Sequence, residues 1–297
     1  MNSIEEGFLT VPGGKVWYRI VGKERPGMPL LTLHGGPGAP HDYLEPLEGL
    51  ADERPVVFYD QLGCGNSERP DDLALWNNGR FIDELIAVQE GLGLAKIHLL
   101  GQSWGTLLAG EYMLREKPRH VCSLIFSGPF FSASRWCADQ QRHLSQLPAE
   151  LQAIVRHAEA TQEFESPAYQ EAVRVFYTKH VCRLEPWPEA MNRTIEKMGV
   201  PVYLSMCGPS EFTMTGSLRK TEIVSRLNEI KVPVLFTCGR YDEATPETTA
   251  IYQQALPGSE MVVIEDASHE HHLEKPQEYL DLVRSFLRRI EGRKTAG

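Results

Sequence analysis

A short apolar run, Ile97-His-Leu-Leu100, enters Gly101-Gln102-Ser103-Trp104-Gly105, and a helical pattern follows. Strand, sharp turn and helix are the setting in which a G-x-S-x-G serine can act as a nucleophile. The turn must hold the Ser103 hydroxyl out from the sheet, and side chains at Gly101 and Gly105 would collide with neighbouring elements. The helix start also brings free N–H groups and a dipole that favour developing negative charge. A serine hydroxyl is inert at neutral pH without a base, and the base needs an orienting acid. The acid candidate is Asp242, in Cys238-Gly-Arg-Tyr-Asp-Glu243 after the strand-like Val234-Leu-Phe-Thr237. The base candidate is His269, in Asp266-Ala-Ser-His269 after Met261-Val-Val-Ile264. Glu243, Glu265 and Asp266 compete for the acid's place, and His271 and His272 for the base's. His269 fits best because it comes first after its strand, which leaves His271 and His272 to line the loop. With this base, activity is expected to fall in acid near the imidazole reference value of ~6.5.

Acyl transfer also needs two backbone N–H groups aimed at the tetrahedral oxyanion. One is expected from Trp104, the residue after the nucleophile. The other is expected from His34-Gly35-Gly36-Pro37-Gly38, where Gly36 lets the backbone approach closely and Pro37 has no N–H to offer. A phosphate-cradling loop is excluded, because no Lys-Ser/Thr follows these glycines. The His269-x-His271-His272 cluster invites a metal reading, but no His-Glu-x-x-His spacing or cysteine partner accompanies it, and no metal or other cofactor is expected. Cys64, in Asp60-Gln-Leu-Gly-Cys-Gly-Asn-Ser67, is a weaker nucleophile candidate without a His-rich neighbourhood in sequence. That segment reads as a structural turn propping the floor of the site.

The elements that must hold these groups alternate along the chain. Strand-like runs are Val16–Val21, Leu30–Leu33, Val56–Tyr59, Ile97–Leu100, Val121–Phe126, Val234–Thr237 and Met261–Ile264. Each is short, apolar and bounded by Gly, Pro or charge, as buried parallel strands are. Helical patterns lie between them at Phe81–Val88, Thr106–Leu114, Thr245–Leu256 and Pro276–Ile290, with Pro246 and Pro276 suited to first turns. The alternation predicts an α/β protein with a mostly parallel sheet and helices on both faces. Residues 132–218 break it. No clear strand occurs there, and helical spacing shows in Leu151–Ala160 and Tyr169–Tyr177. The expected organisation is a core of residues 1–131 and 219–297 with a helical cap, 132–218, inserted in it.

The chain has 297 residues, 42% apolar and 24% charged, ordinary values for a globular protein. A chain of this length buries roughly 75% of its unfolded surface, so it needs no disulfide or metal to fold. Thirty Lys+Arg against 40 Asp+Glu leave a net charge of −10, which argues against a nucleic-acid partner. The first residues carry no basic-then-apolar leader pattern, and no stretch approaches ~18 uninterrupted apolar residues, so no membrane association is expected. The six cysteines are scattered without Cys-x-x-Cys pairs, as in free thiols of a cytoplasmic protein.

Taken together, the motifs resemble the proline iminopeptidase (prolyl aminopeptidase) family of α/β-hydrolases, including the tricorn-interacting aminopeptidases and related amino-acid amidases. The matching pieces are His34–Gly38, Asp60–Ser67, Gly101–Gly105, Gly208-Pro-Ser-Glu-Phe-Thr213, Tyr241-Asp-Glu243 and Ser268-His269. They span nearly the whole chain, and the Gly208–Thr213 and Asp242-Glu243 pieces are the most specific. The resemblance implies an α/β-hydrolase fold and a metal-free release of an N-terminal residue, typically proline, from short peptides or amino-acid amides with a free N-terminus. It also implies that Glu211 and Glu243 bind the substrate's α-ammonium. Two close carboxylates repel, so one tends to protonate until an ammonium relieves the repulsion. The inserted segment would then close the site. Its Trp136, Trp187, Tyr203 and Phe212 could wall the pocket for the first side chain, although each taken singly reads first as core packing. An amino-acid amidase or esterase using the same groups is the neighbouring alternative. A non-catalytic derivative of the fold would not need the Ser, Asp and His set, and epoxide hydrolases and dehalogenases need a carboxylate where Ser103 stands.

Overall fold

The computed structural model describes residues 2–295. Its centre is an eight-stranded sheet in the order β1-β2-β4-β3-β5-β6-β7-β8. The strands are β1 (Ile4–Val11), β2 (Gly14–Val21), β3 (Leu30–Leu33), β4 (Val56–Tyr59), β5 (Ile97–Gln102), β6 (Val121–Ser127), β7 (Val234–Gly239) and β8 (Glu260–Ile264). β2 runs antiparallel to β1 and β4, and every other pairing is parallel.

β3 to β7 are buried at every position, which is why their sequences are nearly continuous apolar runs. Successive residues still point to opposite faces. Leu31, Leu33, Val57 and Leu99 pack on one side with α1 (Asn78–Gly91) and α2 (Trp104–Glu116). Leu30, Val56, Phe58 and Leu100 pack on the other with the helical turns of His41–Leu50 and the last helix. β1 had no counterpart in the pattern of apolar runs. Its Ile-Glu-Glu-Gly-Phe-Leu-Thr-Val alternates exposed and half-buried residues, as suits an edge strand with one face in water.

Between β6 and β7 the chain forms α3 (Ala133–Ser145), α4 (Ala149–Thr161), α5 (Pro167–His180), α6 (Glu189–Glu196) and α7 (Val200–Met206). α3 to α5 enclose a small core of their own around Leu144, Val155, Tyr169 and Phe176. Phe212 is buried in that core and Trp187 packs beside the second sheet-face core, so these two aromatics do structural work. α8 (Pro246–Gln254), α9 (His271–Glu274) and α10 (Pro276–Thr295) complete the chain. Pro246 lies in the first turn of α8, where the Thr245 side chain accepts from Thr248 N–H. All six cysteines are unpaired, and among the described residues no helix is long and apolar enough to cross a membrane.

Candidate active site

The C-terminal ends of the parallel strands converge on one pocket, where open α/β sheets bind ligands. β5 ends at Gln102, and Ser103 turns the chain into α2 with φ 54° and ψ −127°. A non-glycine residue rarely adopts that backbone. Ser103 N–H donates to the Ser127 carbonyl at 2.9 Å, and Thr106 N–H donates back to the Ser103 carbonyl at 2.9 Å. A Cβ at Gly101 would overlap the Gly105 backbone, and one at Gly105 would overlap Leu33 and His34 carbonyls. These glycines therefore allow α2 to start against β3 and β5, which leaves the Ser103 side chain on the pocket wall.

The loop after β7 carries Asp242, whose Oδ1 accepts from Ala244 N–H at 2.7 Å and Oδ2 from Gly239 N–H at 3.1 Å. The loop after β8 carries His269, whose Nδ1 lies 2.7 Å from Asp242 Oδ1. This pairing makes Nδ1 the protonated nitrogen and turns Nε2 to the pocket. Among the described residues Nε2 has no hydrogen-bond partner, Ser103 Oγ included. Nε2 lies 3.6 Å from Glu243 Oε1. Burial opposes charge on the imidazole, but Asp242 and Glu243 outweigh it and raise His269 to about 10. The expectation of an ordinary imidazole near ~6.5 is therefore corrected, since two flanking carboxylates favour the protonated ring.

The other candidates are placed elsewhere. Glu265 pairs with Arg240, and Asp266 is exposed on its turn. His271 and His272 do not line the loop's open side. They are buried on α9, His271 beside Ser127 and Thr237 and His272 against the Tyr43 carbonyl. Burial lowers them to about 4 and about 3, so both are neutral. Cys64 does have a histidine nearby, with His34 Nε2 at 3.6 Å from its Sγ. Burial raises that thiol far above its ordinary range and lowers His34 to about 4, which leaves no thiolate. His34 Nε2 instead accepts from Gln61 N–H at 2.9 Å. Asp60 accepts from His41 and Asn66 N–H groups, so the Asp60–Ser67 turn braces the glycine-rich loop.

In that loop the Gly35 N–H is already used, donating to the Tyr43 hydroxyl at 2.6 Å. Gly36, with φ 102°, lines the pocket beside Ser103. Trp104 is the first residue of α2, where backbone N–H groups lack helical partners.

Glu211 and Glu243 face the same pocket as Ser103 and His269. The Tyr203 hydroxyl donates to Glu211 Oε1 at 2.7 Å, and Trp136 Nε1 donates to the Glu211 carbonyl at 2.9 Å. Glu243 Oε2 is buried without a partner among the described residues. Burial raises both carboxyls, and Glu211 raises Glu243 further. Next to this pocket is a narrow crevice bounded by Ser103, Phe130, Trp136, Glu211, Met214 and Leu218. Trp136 and Tyr203 therefore wall the site, unlike Trp187 and Phe212.

Several contributors carry no motif in the sequence. Gly128, directly after β6, has φ 57°, and a Cβ there would come within 2.7 Å of the His269 ring. A glycine ending a buried strand was the available signal. The His180 carbonyl accepts from the N–H groups of both Glu243 and His269, and no side-chain pattern could reveal that backbone clamp. Tyr43, Gln102 and Glu270 also line the pocket.

The alpha/beta hydrolase fold model matches residues 28–276. A proline iminopeptidase of Heyndrickxia coagulans is 43% identical over 286 residues, covering 96% of this chain and 99% of that protein. The crystal structure of a Mycobacterium smegmatis proline iminopeptidase superposes with a TM-score of 0.89 at 34% identity, covering 98% of this chain and 100% of the other. The crystal structure of VinJ gives 0.93 at 33% identity, over 96% and 99%. The chain belongs to the α/β-hydrolases and, within them, to the proline iminopeptidase family.

Proposed function

We propose that the protein is a serine aminopeptidase releasing an N-terminal proline, or another small apolar residue, from short peptides. The observation that carries this reading is one pocket shared by Ser103, the Asp242–His269 pair and two buried carboxyls with raised proton affinity. Ser103 Oγ attacks the first carbonyl carbon as His269 Nε2 takes its proton. Trp104 and Gly36 N–H groups hold the oxyanion. Collapse breaks the C–N bond, and His269 returns the proton to the leaving amine. Water then attacks the ester, giving its proton to His269, and Ser103 leaves with that proton restored.

Glu211 and Glu243 receive the α-ammonium and so measure one residue from the chain end. A cation entering between them replaces their mutual repulsion with two charge-assisted hydrogen bonds. The apolar side chains of Phe130, Trp136, Met214 and Leu218 beside Ser103, with Glu211 at their edge, suit contact with a compact apolar ring. We assign residues 132–218 as the cap that closes this end of the site, and the free thiols fit a cytoplasmic setting.

The test compares a prolyl arylamide with its N-acetylated form. The free amine should be cleaved at least about a hundredfold faster, the order expected when a buried charge loses its partner. Equal cleavage of the two would remove the ammonium clamp and leave an esterase or amidase reading.

A further inference from the structure

α5 ends at His180, and the chain leaving it touches both loops that carry the proposed acid and base. The last carbonyls of a helix have no partner within it. Here they find partners in those loops. The His180 carbonyl accepts from Glu243 N–H at 3.2 Å and from His269 N–H at 3.1 Å. The next carbonyl, that of Val181, accepts from Glu270 N–H at 2.8 Å and from the Ser268 hydroxyl at 2.9 Å.

The buried His180 side chain reaches the Asp242 loop a second time, with Nδ1 2.9 Å from the Tyr241 carbonyl. A carbonyl only accepts, so Nδ1 carries the proton. Burial and the neighbouring His143 lower the imidazole to about 4, so the ring is neutral and held in this tautomer. It packs against His143 of α3, with centroids 3.8 Å apart, and against Phe176 of α5 at 5.0 Å, which fixes its direction. Tyr241, Asp242 and Glu243 are consecutive. His180 therefore bonds the residue before the acid through its ring and the residue after it through its carbonyl, and that carbonyl also bonds the base. One residue of the cap thus spans the 2.7 Å contact between Asp242 Oδ1 and His269 Nδ1.

We propose that His180 is a positioning residue, through whose ring and carbonyl the cap sets the distance and angle between Asp242 and His269. This inference rests on the reading of these two as acid and base. His180 does not line the pocket, so it acts through them and not on the substrate. A change of side chain leaves the carbonyl bonds to Glu243 and His269 in place and removes only the Tyr241 bond, on the acid's side. The substrate's binding groups are then kept while Asp242 is free to shift. A small shift weakens its bond to His269 Nδ1, and the cost falls on the chemical step.

The experiment compares His180→Phe, which keeps a buried ring without a donor, with His180→Asn, whose amide offers an N–H near the place of Nδ1. kcat and KM for a prolyl arylamide are measured per active site, counted by fluorophosphonate labelling taken to completion. The downfield proton signal of His269 Nδ1–H is followed by NMR. His180→Phe should lower kcat per site by at least about fivefold, keep KM within about threefold, and shift the Nδ1–H signal. His180→Asn should regain most of that kcat and return the signal towards the wild type. If His180→Phe does not fold, His180→Ala serves as the donor-free variant. A role confined to fastening the cap would lower Tm and leave kcat per site and the signal unmoved. That result, a smaller loss of kcat, or no recovery in His180→Asn would overturn the positioning role while leaving the peptidase intact. A wild type that neither cleaves the arylamide nor takes up the fluorophosphonate would overturn the acid–base reading and this inference with it.

Discussion

The pocket has two walls of different origin. One is made by strand ends: Gly36 after β3, Ser103 after β5, Asp242 and Glu243 after β7, and His269 after β8. The other comes from the helices between β6 and β7: Tyr177, Met191, Ile195, Tyr203 and, just beyond α7, Glu211. The groups proposed to make and break bonds are all on the first wall. The second brings apolar surface and one carboxylate. The ends of β3, β5 and β7 are held by ladder hydrogen bonds on both sides and that of β8 on one, which suits atoms that must meet within tenths of an ångström. The proposed ammonium clamp spans the seam, with Glu243 from one wall and Glu211 from the other, so a free amine is recognised only where the walls meet.

The largest effect belongs to the strand-end wall. Ser103→Ala should lower kcat by ~10⁴-fold or more, because the remaining groups retain only binding and oxyanion stabilisation. Single-turnover assays on a prolyl arylamide, with a thermal melt to show that the variant folds, measure it. Turnover within tenfold of wild type would move the chemistry off this wall altogether.

Next come the two carboxylates, which should fail differently. Glu243 lies 3.6 Å from His269 Nε2, whereas Glu211 is bonded to Tyr203. Either change to Gln should cost roughly 10²-fold in kcat/KM for free amines. Glu211→Gln should act mainly through KM, and Glu243→Gln should also change the pH profile. Identical kinetic signatures for the two variants would erase the distinction between the walls.

The sign of that pH effect follows from His269. It must be neutral to accept the Ser103 proton, and burial, though it opposes the charge, is outweighed by Asp242 and Glu243, which raise it to about 10. In the free enzyme activity is therefore lost as pH falls through a value well above the ordinary imidazole range. A bound ammonium offsets the Glu243 charge and weakens its hold on the imidazolium. The acid limb of kcat should then lie at lower pH than the acid limb of kcat/KM. In Glu243→Gln the kcat/KM limb should move down towards the kcat limb. Coincident limbs in the wild type would show that the ammonium does not reach Glu243.

This same division explains what the sequence made legible. Strand-end residues follow apolar runs closed by turn residues, so Ser103, Asp242 and His269 could be picked out one after another. The local pattern is silent where a neighbour from a distant segment decides the outcome. Nothing in the sequence places Glu243 against His269 Nε2, and nothing there shows that α9 buries His271 and His272 instead of leaving them to line the loop. The helical wall is packed through its own small core, where any well-spaced apolar residue serves. Trp136 and Tyr203 were thus indistinguishable from Trp187 and Phe212 until their directions were known.

The smallest effect tests how firmly the helical wall is held. α6 is tied to the sheet side by Arg193 and Lys197, whose side chains meet the buried Asp42 Oδ1 at 3.0 and 2.8 Å. Arg193 is 30% exposed, so solvent screens much of its attraction, and Lys197 still pairs the buried Asp42 when Arg193 is replaced, which holds the loss to about 1 kcal/mol. Arg193→Met keeps the apolar stem and should lower Tm by only about 2 °C. Met191 and Ile195 on the same helix line the pocket, so loosening α6 should raise KM a few-fold while kcat, set by the strand ends, stays close to wild type. High salt should reproduce part of that KM rise in the wild type and little of it in the variant. An equal fall in kcat would mean that α6 reaches the reacting atoms after all, and the helical wall would then share the chemistry as well as the fit.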